Sequence, residues 1–181
     1  DELTATSARA LAEVLPEADA RLSVVLRALV LHALGRDNAD LAVGYAERFS
    51  AMGDHEADRL LDQALSKAGR KDELLALLTQ RAIAGEGDAD ALWIRIAGLY
   101  VEGTQWSQAV DALGRVQPDA RTARWAELTY HVGVARSDFA QQAEGAALVA
   151  QLTDDVATKA SWLRRAAHVV WWELNEPTRA Q

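Results

Sequence analysis

The spacing of apolar residues between positions 90 and 118 limits the possible folds more than any other feature of the sequence. Four of these residues follow the i, i+3, i+4, i+7 spacing of one helix face: Trp93, Ile96, Ala97 and Tyr100. Ala109 and Leu113 repeat this spacing after the polar turn 103–105. The segment therefore predicts two helices joined by a short turn, with Pro118 near the end of the second.

This pattern resembles the tetratricopeptide repeat, whose signature is W-x2-L-G-x2-Y followed by A-x3-F and a proline. Ile96 stands in place of Leu, Ala97 in place of Gly and Leu113 in place of Phe, and the proline comes a few residues early. The resemblance implies two antiparallel helices with large residues wedged between them and a small residue where the backbones approach. Because such a hairpin cannot bury its apolar face alone, the resemblance also implies a stack of repeats.

Short polar or glycine-containing turns recur about every 34 residues along the chain. They occupy 35–38, 69–72, 103–105, 137–138 and 175–178. Together with the resemblance, this period predicts an all-α fold, a right-handed α-solenoid of about five tetratricopeptide-like repeats with partial repeats at both ends. Residues 1–181 would form a single superhelical segment, with the full motif at 90–118. A non-repetitive helical bundle is the alternative, because it obeys the same local rules.

Ten helices are predicted, and an eleventh begins near Pro177. The ten expected ranges are 4–15, 18–34, 37–52, 54–68, 71–84, 88–103, 105–116, 119–136, 138–152 and 155–174. Glycines follow several of them, where a left-handed backbone is easiest for glycine: Gly35, Gly53, Gly69, Gly85, Gly87 and Gly103.

The phase of the repeats suggests how this chain relates to a longer array. Helix 4–15 falls where the second half of a repeat belongs, and residues 176–181 begin another second-half helix. We therefore expect an excerpt of a longer helical array. Helix 155–174 would then keep an apolar side uncovered, which makes self-association through Trp171 or Trp172 possible. Alternatively, one of these two rings is core and the other packs on the next repeat.

Composition excludes several classes of site and partner. The chain has no cysteine, so disulfides and thiolate metal sites are excluded, while both the cytoplasm and the periplasm stay open as compartments. Its formal net charge of −8 argues against nucleic acid as a partner. The longest apolar stretch, 22–34, contains Arg27 and His32 and is too short to span a bilayer, so no membrane insertion is expected.

Catalytic patterns are weak throughout the sequence. The four histidines fall on separate predicted helices, and His55 lacks the second histidine of an H-E-x-x-H motif. No G-x-S-x-G motif and no phosphate-binding G-x-x-x-x-G-K-[ST] loop occurs. We therefore expect no metal, no cofactor and no enzyme activity in this segment.

The tryptophans are predicted mainly as packing residues. Trp93 and Tyr100 are seven positions apart and share a helix face, so both are expected in the core. Trp125 shares a face with Leu128 and is also expected in the core, whereas Trp162 fits either face of its helix.

The family resemblance supplies the candidate binding site. In tetratricopeptide proteins the first helix of each repeat lines the concave surface, and its positions outside the wedge contact the ligand. The corresponding candidate residues here are Arg95, Glu102, Tyr130, Arg164, Arg165, His168 and Trp171. The group at 164–171 combines two guanidiniums, an imidazole and an indole, a set able to hold a carboxylate and stack an aromatic or apolar residue beside it. Alternatively, the two arginines are ordinary solvated residues.

The function implied by the resemblance is a non-catalytic scaffold for protein–protein interaction. It would dock a partner protein or peptide on its concave groove, as part of a larger multi-repeat protein. Two alternatives differ in context: a periplasmic scaffold of an exopolysaccharide export or secretion assembly, and a regulatory or sensor module attached to a DNA-binding or catalytic domain.

Overall fold

The structure, a computed structural model, describes residues 2–17, 19–53 and 55–173. These residues form ten α-helices, a short 3-10 helix and a π-helical turn, and no strand occurs among them. The α-helices are α1 (Glu2–Val14), α2 (Ala20–Gly35), α3 (Ala39–Ser50), α4 (His55–Ala68), α5 (Lys71–Ala84), α6 (Ala89–Glu102), α7 (Trp106–Leu113), α8 (Ala123–Arg136), α9 (Phe139–Leu152) and α10 (Val156–His168). The all-α class and the ten predicted helices are confirmed. The eleventh helix, expected near Pro177, lies outside the described residues.

Two of the predicted helix ranges were wrong at one end. In place of a helix starting at 119, a 3-10 turn covers Pro118–Ala120, and α8 begins only at Ala123 because the two residues before it are extended. Helix 155–174 is also interrupted: α10 ends at His168, and the π-helical turn Val169–Glu173 follows it.

The glycine prediction at the helix ends is right for some turns and wrong for others. Gly53, Gly69, Gly85 and Gly87 do have positive φ angles, whereas Gly35 and Gly103 do not. After these two glycines the left-handed residue is Asp37 (φ 53°) or Thr104 (φ 57°). In both turns the backbone N–H of the following residue, Asn38 or Gln105, donates to a carbonyl five residues earlier. This hydrogen bond ends the helix even though the left-handed residue is not a glycine.

Polar side chains cap the starts of most helices. Six N-cap side chains accept a backbone N–H two or three residues further on: Asp19, Asn38, Asp88, Thr122, Asp138 and Asp155. The side-chain hydrogen bond from Arg21 lowers the pKa of Asp19 to about 2. Hydrogen bonds from the side chain and the backbone of Thr158 lower the pKa of Asp155. Both carboxylates therefore stay ionised at the positive end of their helix.

The chain divides into two compact units, Asp1–Leu77 and Leu78–Gln181, with the boundary inside α5. In the first unit α1 packs on α2, α2 on α3 and α3 on α4. The buried core of these helices includes Leu22, Leu26 and Phe49. Lys67 Nζ at the end of α4 donates to Leu34 O (3.1 Å) and pairs with Asp37 (2.8 Å), which fixes the α2–α3 turn.

In the second unit each helix from α6 to α10 packs on the next along the chain, and α6 also contacts α8. The short turns at 103–105 and 137–138 predict that helix 88–103 pairs with 105–116 and that helix 119–136 pairs with 138–152. Both pairings are confirmed, as α6–α7 and α8–α9. The α8–α9 crossing is the closer of the two at its glycines. A Cβ placed on Gly145 would lie 2.6 Å from the backbone nitrogen of Tyr130, so only glycine fits there.

The tryptophan predictions are confirmed in part. Trp125 is buried, and its Nε1 donates to Leu113 O at 3.0 Å, which satisfies the indole where water cannot reach it. Trp93 and Tyr100 are only half-buried. The guanidinium of Arg115 lies 4.7 Å from the ring centroid of Trp93, so a charged side chain covers part of the indole that was expected in the core.

Trp171 and Trp172 lie in the π-helical turn and are 45% and 70% exposed. The expected self-association through these rings stays a prediction. None of the helices in the described ranges is long and apolar enough to cross a membrane.

Candidate functional site

A pocket of about 510 Å³ lies among α8, α9, α10 and the π-helical turn. Four of the seven predicted site residues line it: Tyr130, Arg164, Arg165 and His168. The remaining lining residues are Phe139, Gln142, Ser161, Val169 and Glu173, none of which the sequence had suggested. The sequence offered no indication of them, because the family resemblance points only to first helices. Most of these residues lie on α9, a second helix, or in the π-helical turn.

An aromatic pair connects α8 to α10 beside this pocket. The rings of Tyr130 and Trp162 meet edge to face, with centroids 5.2 Å apart and an angle of 87° between their planes. The guanidinium of Arg165 lies 4.7 Å from the centroid of Trp162 and 5.9 Å from that of Tyr130. Both rings therefore attract the same cation and restrict its position. Trp162, which the sequence left undecided, is half-buried and belongs to this contact.

The two arginines of the pocket differ from their neighbours on and beside α8. Arg121 forms an ion pair with Glu144 at 3.2 Å, and Arg124 forms one with Glu127 at 3.4 Å. Arg164 Nε donates to the carbonyl of Ala160 at 3.3 Å. Within the described part of the chain, neither Arg164 nor Arg165 has a carboxylate partner. Their positive charge is therefore available to a ligand.

The spacing of apolar residues predicts that Leu163, Ala167 and Val170 form the packing stripe of α10, and the structure differs from this prediction. The buried residues are Ala166, Val169 and Val170, and Leu163 is 50% exposed. The π-helical turn contacts α9, and both of its valines are buried.

Three predicted site residues do not line the pocket. Arg95 and Glu102 are exposed on α6, where each has a polar interaction of its own. Trp171 lies in the π-helical turn with its side chain partly in solvent. The structure therefore brings together the candidates on α8 and α10 and leaves the α6 candidates apart from them.

The pocket has a charge opposite to that of the whole chain. Its lining holds two arginines and a histidine against one carboxylate, Glu173, whereas the formal net charge of the chain is −8. Phe139 and Val169 supply apolar walls beside the cations. Among the described residues no cluster of His, Asp or Glu could hold a metal ion. The arrangement suits an anion that carries an apolar or aromatic group.

The architecture matches a solved structure over most of its length. MamA from Desulfovibrio magneticus RS-1 (residues 41 to the end) is similar with a TM-score of 0.62 and 14% sequence identity, covering 87% of this chain and 88% of that one. MamA is a tetratricopeptide-repeat protein. The fold is that of a tetratricopeptide-like helical repeat. No protein-family model matches the sequence, and the comparison with curated proteins finds no match.

At 14% identity the likeness to MamA concerns the fold alone. In the tetratricopeptide-like order of helices, α8 and α10 are the first helices of successive hairpins, and α9 is the second helix between them. The pocket thus lies where α8 and α10, each the first helix of its hairpin, meet α9 between them.

Proposed function

We propose that this chain is a non-catalytic protein-binding scaffold whose contact site is the pocket formed by α8, α9 and α10. The observation that carries the proposal is the position of Arg165, which is stacked against Trp162 and Tyr130 and has no carboxylate partner among the described residues. The tetratricopeptide-like fold supports a role in binding over one in catalysis. The envelope-assembly and regulatory alternatives share this role and differ only in its context.

The chemistry of the pocket defines the ligand that we propose. A guanidinium binds a carboxylate through two parallel hydrogen bonds, and Arg164 and Arg165 offer two such groups. Because Arg165 is already held by two rings, it loses less conformational entropy when an anion binds. Phe139 and Val169 would contact an apolar neighbour of that carboxylate. The ligand is therefore a protein segment with an acidic group next to an aromatic or aliphatic side chain.

A peptide-display selection tests this proposal. We expect the wild-type chain to enrich peptides in which Asp, Glu or the terminal carboxylate adjoins a large apolar residue. Arg165→Glu should weaken binding of the selected peptides roughly 10- to 100-fold, the effect of losing a hydrogen bond to a charged group and adding repulsion. Fluorescence anisotropy of one labelled peptide gives the two dissociation constants.

Lys159→Glu is the matched control for this substitution. Lys159 is exposed on the same helix, and the rotation of about 100° per residue places it on the side of α10 away from Ser161, Arg165 and His168. It changes the net charge by the same amount, so it should leave the affinity unchanged. Gln141 on α9 would be a poor control, because its Oε1 is buried and has no hydrogen-bond partner in the described structure. Equal losses for Arg165→Glu and Lys159→Glu would mean that net charge, and not this pocket, determines binding.

A further inference from the structure

A second pocket lies in the first unit, where α1 meets the end of α2 and the start of α3. It encloses about 290 Å³. The buried side chains of Ala5 and Ala33 form its apolar part. The polar groups that line it are Thr6, Arg9, His32, Arg36 and Asn38. This pocket shares no residue with the α8–α10 pocket, so a ligand could bind here whether or not the proposed function is correct.

The charge of this second pocket is unusual for so acidic a chain. Two arginines and a histidine line it, and no carboxylate is among its described lining residues. The two aspartates nearest in sequence interact with other cations: Asp37 pairs with Lys67 at 2.8 Å, and Asp40 attracts the guanidinium of Arg70. Arg36 has another polar interaction as well, so the guanidinium of Arg9 and the imidazole of His32 are the groups expected to contact a ligand first.

Basic residues near the end of a helix commonly serve the unsatisfied carbonyls of its last turn. At the end of α2 three of those carbonyls already have donors. The backbone N–H of Arg36 donates to His32 O at 3.1 Å, that of Asn38 donates to Ala33 O at 3.0 Å, and Lys67 Nζ donates to Leu34 O at 3.1 Å. The side chain of His32 is therefore not needed for these three carbonyls.

Asn38 adds hydrogen-bond donors to the same pocket. Its Oδ1 accepts the backbone N–H of Leu41 at 3.3 Å as the cap of α3. With that oxygen engaged, the side-chain amide retains its two N–H donors. The pocket thus combines guanidinium, imidazole, amide and hydroxyl groups around one space.

We propose that this pocket binds a phosphate group, held by Arg9 and His32 with Arg36, Asn38 and Thr6 around it. Phosphate suits the site better than a lone carboxylate, because it carries a charge of about −1.5 to −2 at neutral pH and offers three or more acceptor oxygens to several donors. Helix α1 and the start of α3 supply two walls, and the end of α2 supplies His32 and Ala33.

The test is an NMR titration of the full chain with inorganic phosphate at constant ionic strength, followed by acetate and by O-phosphoserine. We expect saturable millimolar shifts confined to residues around the pocket, with acetate much weaker. Tighter binding of O-phosphoserine would identify a phosphomonoester as the source of the group, and tighter binding of inorganic phosphate would identify the free anion. Because Arg9 is exposed, Arg9→Gln should fold normally and bind phosphate at least about tenfold more weakly.

Arg136→Gln is the matched control, since Arg136 is an exposed arginine at the end of α8 and outside the pocket. It should bind phosphate as the wild type does. Three outcomes would overturn the proposal: shifts that do not saturate, acetate binding equal to phosphate binding, or an unchanged affinity in Arg9→Gln. Helical circular dichroism of each variant confirms that a lost affinity does not reflect a lost fold.

Discussion

The hairpins α6–α7 and α8–α9 differ in a way that the repeat signature does not predict. The first resembles the signature more closely, yet its Trp93 is half-buried and partly covered by Arg115. The second matches the signature poorly, yet its Trp125 is buried and hydrogen-bonded to Leu113. The hairpin that matches the signature less well therefore buries its tryptophan more completely.

Glycines and caps extend this difference between the hairpins. Gly145 allows α9 to approach the backbone of α8, whereas Gly98 of α6 has only ordinary contact distances around it. The side chain of Asp138 caps α9, while Gln105 at the start of α7 makes no side-chain cap. The signature thus marks which positions are wedges, but it does not measure how closely two helices pack. How closely two helices approach depends on whether a glycine lies at their crossing.

The tryptophans provide the largest test of the comparison. Trp125→Ala should destabilise the protein by about 3–5 kcal/mol, because it removes a buried indole and leaves the adjacent core with a cavity. Trp93→Ala should cost only about 1–2 kcal/mol, since a half-buried ring has less area to lose. Urea unfolding followed by circular dichroism measures both. If the Trp93 variant were the less stable of the two, the claim that Trp125 is the better packed tryptophan would be wrong.

The glycines provide the next test. Gly145→Ala should destabilise by about 2–3 kcal/mol, because the added Cβ meets backbone atoms of α8 that can move only if the hairpin opens. Gly98→Ala is the control in the other hairpin. Its Cβ would be 3.9 Å from the nearest atom, so it should be neutral or stabilise by up to about 1 kcal/mol. Equal losses in thermal midpoint would show that the α8–α9 crossing is no tighter than the α6 surface.

Substitutions at the helix caps should change stability least. The change should be a loss in the α8–α9 hairpin and a gain in the α6–α7 hairpin. Asp138→Ala removes the acceptor for the Gln141 N–H and should cost about 1 kcal/mol. Gln105→Asp supplies a cap that α7 lacks and should gain about 0.5–1 kcal/mol. A stability curve for each variant checks the two signs. A loss for Gln105→Asp would mean that the first turn of α7 cannot accept a side-chain cap.

Much of the fold was predictable because its signals are local. The spacing of apolar residues and the recurring turns located all ten helices, and they also identified the sequential pairing. The errors have identifiable physical sources. The late start of α8 depends on the extended backbone of Arg121 and Thr122, and the left-handed residues after Gly35 and Gly103 are not glycines. Both features are set by the whole turn and not by one residue type.

The candidate site was less predictable, because it depends on how the helices are rotated relative to one another. The sequence selected Arg164, Arg165 and Tyr130 as candidates, but it did not show that Trp162 would lie between α8 and α10 beside them. It also placed Leu163 in the packing stripe of α10, whereas this side chain is 50% exposed. Whether these candidates bind a partner stays a prediction.

One measurement tests most directly whether the binding site lies at α8–α10 and not on the hairpin that carries the signature. The six indole Nε1–H resonances of the chain can be followed by NMR while a peptide from the display selection is added. We predict that the resonance of Trp162 shifts to saturation together with the Nε–H of Arg165, while those of Trp93 and Trp125 stay in place. A saturating shift at Trp93 with no change at Trp162 would contradict a binding site at α8–α10.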